Sequence, residues 1–177
     1  VNLTWDGGYK HLTVISENGP EGCIIDGLNE DRGFSFVQTA QDSNDVISGF
    51  TIKNGQYEEN VSSPYYQLAG GINIIGSSSA TLNDLHITEN VGYAGGGIIT
   101  DWGSFLDLSN SVIDQNVSGT GGGLFLNSEF VMDSVDVNNN HAGNTGGIYF
   151  YYAQGELHDA RILQNTNVYG LNPSGIT

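Results

Sequence analysis

The stretch that decides the fold is "GTGGGLFLNS", Gly119–Ser128. Three glycines run into an apolar, strand-like segment, and two explanations compete. Glycines cradle a phosphate when they open a helix, usually with a lysine among them. They also let two backbones approach more closely than a Cβ allows. Copies of the phrase elsewhere decide between these: "LAGGINIIGS" (Leu68–Ser77), "YAGGGIITDW" (Tyr93–Trp102) and "GNTGGIYFYY" (Gly143–Tyr152). The first apolar residues after the glycines are Ile72, Ile98, Leu124 and Ile148, at separations of 26, 26 and 24. A strand pattern follows each time, and no lysine is near. The glycines read as a recurring structural corner.

A second phrase alternates with the first. It reads "TLNDLHITEN" (Thr81–Asn90), "DLSNSVIDQN" (Asp107–Asn116), "VMDSVDVNNN" (Val131–Asn140) and "ELHDARILQN" (Glu156–Asn165). The closing asparagines are 26, 24 and 25 residues apart, and an earlier copy, "ISGFTIKNG", puts Gly55 in that slot. Asn and Gly are the residues that most readily turn left-handed, so this slot is expected to be a left-handed turn. The apolar positions alternate with period two, which excludes helical repeats. A period of about 25 residues with two strand-like pieces specifies a parallel β-helix. The inward ladders are predicted to be Leu82, Leu108, Met132, Leu157 and Ile52, Ile87, Ile113, Val137, Ile162. "HLTVIS" with "CIIDG", and "RGFSF" with "VISGFTI", read as two earlier coils. The expected product is one domain, 1–177, of about six coils and about 30 Å. Residues 56–69 break the period and read as an inserted loop. Both ends stop in mid-pattern, as in a segment of a longer array or a module that packs end to end.

Composition narrows the partners. The 177 residues carry 20 Asp+Glu against 4 Lys+Arg, a formal charge of −16. That argues against nucleic acid and against anionic membrane surfaces, both of which need clustered cations. No signal peptide and no apolar run of about 18 or more residues is present, so membrane insertion by this segment is not expected. Cys23 is the single cysteine and reads as a small buried strand residue with no partner for an internal disulfide.

These phrases, together with "VISENGPEGCIIDG", resemble bacterial secreted right-handed parallel β-helix proteins of the pectate-lyase-like superfamily. The paired GG-(I/L) and I/V-x-x-N repeats are also similar to those of polymorphic outer-membrane-protein adhesins. The resemblance covers nearly the whole chain. It implies a right-handed β-helix and an extracellular or cell-surface location. It leaves function open, because one scaffold serves lyases, hydrolases, epimerases and adhesins.

The chemistry of these enzymes is poorly represented. A lyase of this kind uses Lys or Arg beside acidic calcium ligands. The only cations here are Lys10, Arg32, Lys53 and Arg161, scattered along the chain. Arg161 is expected to pair with Asp136 on the surface. Hydrolase motifs such as Asn-Thr-Asp are absent; "NTN" at Asn165–Asn167 lacks the acid. Acids mostly avoid one another's slots in neighbouring coils, as repulsion demands. No catalytic residues are assigned. His158 is expected to hydrogen-bond Asp133, one coil before it. "DSND", with Asp42 and Asp45, offers calcium-type oxygen ligands, a plain polar turn being the alternative. No other cofactor is implied.

Alternation gives a candidate contact face. With Ile72, Ile98, Leu124 and Ile148 inward, Asn73, Ile99, Phe125 and Tyr149 point outward, followed by Ile75, Asp101, Asn127 and Tyr151. Ile99, Phe125, Tyr149 and Tyr151, with Trp102 at the edge, form the candidate ligand-binding strip. A partner, a glycan or the 56–69 loop is expected to cover it. The leading expectation is a non-enzymatic adhesion module or structural stalk. Its partners would be a polysaccharide or a surface protein of a host or neighbouring cell, with end-to-end self-association as a further possibility. The alternative is a carbohydrate-active or carbohydrate-binding domain, a polysaccharide lyase or hydrolase if it is an enzyme.

Overall fold

The coil geometry follows from how each repeat satisfies its backbone. The computed structural model describes residues 3–5, 11–37, 45–57, 69–168 and 175–176. Within them every strand pairing is parallel and joins one coil to the next. The first sheet stacks Leu3–Trp5, Phe34–Val37, Ile72–Ile75, Ile98–Thr100, Leu124–Leu126 and Ile148–Phe150, in that order. Six stacked strands bound about five turns of a parallel β-helix. The second sheet is longer and bent, with Phe105–Asp114 and Glu129–Asn138 at its centre. Val91–Ala94, Val117–Thr120, His141–Ala142 and Thr166–Asn167 form the third.

Both predicted ladders are in register. Leu82, Leu108, Met132 and Leu157 pair in succession, as do Ile52, Ile87, Ile113, Val137 and Ile162. The central members are fully buried. The bend in the second sheet has a local cause. Asp84, Asn110, Ser134 and Asp159 take positive φ between 45° and 57°, so the chain turns there, and the pairing resumes in the same register on the far side. The glycine corner is structural, as its sequence implied. A Cβ on Gly122 would lie inside contact distance of the Gly146 and His141 carbonyl oxygens, all backbone atoms of the next coil.

The asparagine slot holds a different device from the expected turn. The left-handed residues are Asn54, Glu89, Gln115, Asn139 and Gln164, each one place before the slot. Asn90, Asn116, Asn140 and Asn165 themselves point inward and are buried. Asn90 Nδ2 donates to Asn116 Oδ1 at 2.9 Å, Asn116 Nδ2 to Asn140 Oδ1 at 3.0 Å, and Asn140 Nδ2 to Asn165 Oδ1 at 3.0 Å. Each Oδ1 also accepts the backbone N–H of the preceding asparagine, at 3.0 Å. A second proton of each amide reaches a carbonyl oxygen on the neighbouring strand. The buried amides satisfy one another, as buried polar groups must. Gly55 begins the column, and its N–H donates to Asn90 Oδ1 at 2.8 Å.

Candidate functional site: an aromatic-walled notch

From Ile72 onward the coils differ in length at one corner, between the first and second sheets. Asn73, Ile99, Phe125 and Tyr149 are register partners in successive coils. So are Ser79, Phe105, Glu129 and Gln154. The connections between these columns are residues 74–78, 100–104, 126–128 and 150–153, so the third is shorter than its neighbours by two residues and by one. Strands stack at about 4.8 Å, so a short connection between two long ones leaves a notch with a wall on each side.

Each wall carries an aromatic ring. Trp102 stands in the long connection before the notch and Tyr152 in the one after it, each 76% exposed. The notch has a volume of about 550 Å³, and Phe105, Asn127, Glu129 and Gln154 line it together with the Gly103–Ser104 turn and Ser128. The Trp102 wall is braced from within. Asp101 Oδ2 accepts the Gly76 N–H at 2.8 Å, and its Oδ1 accepts the Ser104 hydroxyl at 2.7 Å. Gly103 closes that turn at a φ of 79°. The floor is pinned to the same wall by buried Thr100, whose Oγ1 accepts the Asn127 N–H at 3.1 Å and the Ser128 hydroxyl at 2.8 Å. Tyr152 holds a φ of 53°, a conformation unfavourable for a bulky residue and one that collects at functional sites.

The predicted contact strip is divided in two. Asn73, Ile75 and Ile99 do face outward, but they are buried: Ile99 is 4% exposed and packs with Ala69, Ile75 and Ala94. Phe125 and Tyr149 are half-buried, and their rings stack with centroids 5.3 Å apart. Tyr151 lies 6.4 Å from Tyr149 and meets Tyr152 edge-on at 4.6 Å. The column therefore runs from a closed apolar cluster to the open Tyr152 wall. Trp102, placed at the strip's edge by sequence, belongs to the opposite wall of the notch.

The other candidates stand apart. Asp42 and most of the 56–69 insertion lie outside the described residues. Asp45 is buried, and its Oδ1 accepts the Leu12 N–H at 2.7 Å. Arg161 pairs with Asp136 at 2.8 Å, as expected. Lys53 pairs with Asp26 at 3.7 Å. The Asn54 amide, the Leu28 N–H and Lys53 hold the Asp26 carboxyl below its ordinary range. His158 departs from expectation. It sits in register with Asp133 but hydrogen-bonds Glu156, two residues back on its own strand, at 3.0 Å.

Sequence reasoning placed Asn127 in an outward column without giving it a role, and missed Glu129, Gln154 and the role of Tyr152. A signal was present: Ile98 to Leu124 spans 26 residues, while Asn116 to Asn140 spans 24. Two residues are lost between the end of one phrase and the end of the next, and that loss is the notch.

This architecture makes the chain a parallel β-helix with a length-variable corner. No family model, curated protein or solved structure matches it.

Proposed function

We propose that the chain is a non-enzymatic, secreted or cell-surface recognition module that binds carbohydrate in the notch. In this reading it is an adhesin-like β-helix of the pectate-lyase-like kind. The observation that carries the reading is the pair of exposed rings, Trp102 and Tyr152, facing one recess over amide and hydroxyl groups. Aromatic faces pack against the C–H faces of pyranoses, while Asn127 and Gln154 can exchange hydrogen bonds with hydroxyls. The absence of turnover is supported by charge. Among the described residues Glu129 is the one carboxylate lining the notch, whereas glycoside hydrolysis uses two flanking the scissile bond.

Trp102 supplies its own probe, since the chain has only two tryptophans. Titration with a panel of neutral, acidic and amino oligosaccharides is expected to shift Trp102 emission to the blue with at least one of them. Trp102→Ala and Tyr152→Asn should each weaken binding at least about tenfold, in keeping with the strength of ring stacking. Asn tolerates the left-handed backbone at position 152, so the second variant should remain folded. Neither reducing nor unsaturated ends should accumulate. Failure of every glycan to bind, or unchanged binding by both variants, overturns the reading; product formation overturns its non-enzymatic half.

A further inference from the structure

Resting on the carbohydrate reading, we propose that the sugar unit held in the notch carries a free, protonated amine, and that Glu129 is its counter-ion. The first support is the charge of the lining. Among the described residues, Glu129 is its only ionisable acid or base apart from the Tyr152 phenol, and no Lys, Arg or His lines it. Glu129 is exposed, and among the described residues no side chain pairs with its carboxylate. The next outward columns of the same sheet add Asp107 and Glu156, then Asp133. His158 is turned to Glu156, while Lys53 and Arg161 are paired elsewhere, with Asp26 and Asp136. A polyuronate entering this recess would meet only like charge.

The second support is the hydrogen-bonding balance. Asn127 Oδ1 is buried at the notch without a partner, although buried acceptors are normally satisfied. The Ser128 hydroxyl is already spent on Thr100 and on the Glu129 carbonyl oxygen. Among the described residues, Asn127 Oδ1 and the Glu129 carboxylate are thus acceptors at the notch with no side-chain donor paired to them. An ammonium is a donor with no acceptor capacity. It also suits the walls, because aromatic faces attract cations, most strongly when both are withdrawn from water. A neutral sugar would desolvate the Glu129 carboxylate with no opposing charge, which is unfavourable.

The test compares two oligomers of equal length, β-1,4-linked glucosamine with its amines free and the same chain fully N-acetylated. Calorimetric titration of the intact chain is expected to give at least about tenfold tighter binding of the free amine. That preference should shrink with added salt and vanish in Glu129→Gln, which should bind the acetylated chain at least as tightly as the parent because no carboxylate is left to desolvate. Trp102→Ala should lose both ligands. Equal binding of the two oligomers, or an undiminished preference in Glu129→Gln, with Trp102→Ala still inactive, overturns the amine and leaves the carbohydrate reading standing. Retention of the amine chain by Trp102→Ala would mark general attraction to an acidic surface and overturn the proposal. Binding of neither oligomer overturns it as well; the wider glycan panel then decides the carbohydrate reading.

Discussion

Two corners flank the second sheet, and they obey opposite rules. At the asparagine corner the connections are residues 89–90, 115–116, 139–140 and 164–165, the same length in these four coils. At the Trp102 corner, connection length changes from coil to coil. The contrast has a physical source. The asparagine corner carries its hydrogen bonds inward, so each coil must deliver an amide to the same point. The Trp102 corner carries its ring into solvent and is tied by individual side chains, Asp101 to the coil before and Thr100 to the coil after, and not by one repeated amide. Regularity maintains the stack, and the irregular corner is free to acquire a shape.

The largest expected effect comes from breaking the regular corner. Asn116→Ala deletes an oxygen that accepts from Asn90 N and Nδ2 and an amide that donates to Ile87 O and Asn140 Oδ1. The orphaned groups are buried, and each unsatisfied group costs about 1–3 kcal/mol. Denaturant unfolding should show a loss of about 3–5 kcal/mol, at the upper end for single substitutions. A loss under about 1 kcal/mol would mean that water replaces the amide and that the column is not what fixes this corner.

The irregular corner should respond in the opposite way. Inserting two residues between Asn127 and Ser128 restores the connection length of the preceding coil. Extending a surface connection this slightly should change stability by less than about 1 kcal/mol. It should nevertheless fill the notch and abolish glycan binding. The same insertion between Gln115 and Asn116 should prevent folding, because it displaces an amide from the ladder. If the two insertions are equally tolerated, or equally destructive, the contrast between the corners is wrong.

What could be read from the chain follows the same division. The ladders from Leu82 to Leu157 and from Ile52 to Ile162 were legible because burial forces an apolar residue into each inward slot. The asparagine slot was located by its spacing but assigned the wrong cause. Asn suits both a left-handed turn and a buried amide ladder, and spacing alone does not distinguish them. Outward residues were legible in direction only. Ile99 and Phe125 share a column, yet one is covered by Ala69, Ile75 and Ala94 while the other stays half open. Cover comes from neighbouring segments that strand alternation does not encode. Glu129 and Gln154 carry no motif; a difference between two spacings places them.

The smallest expected effect separates the two roles that share the asparagine corner. Glu89, Gln115, Asn139 and Gln164 precede the ladder at φ values of 54–57°, and only Asn139 is a residue type that enters this region readily. Gln115 is exposed, and no side-chain hydrogen bond ties it to the coil among the described residues, so its replacement tests backbone preference with little else disturbed. Gln115→Asn should stabilise the protein by about 0.5 kcal/mol, a fraction of the left-handed penalty for an ordinary L-residue. Gly is a poorer choice, since its gain in φ is offset by the entropy it loses on folding. The reverse change, Asn139→Gln, should destabilise by a similar amount, with the loss of its 2.8 Å bond to Asn138 Oδ1 added. Thermal unfolding of both variants reads the pair. Opposite shifts would assign the turn to the first residue of the corner and the ladder to the second. Shifts of the same sign would mean that the conformation at 115 and 139 is imposed by the stack, whichever residue occupies it.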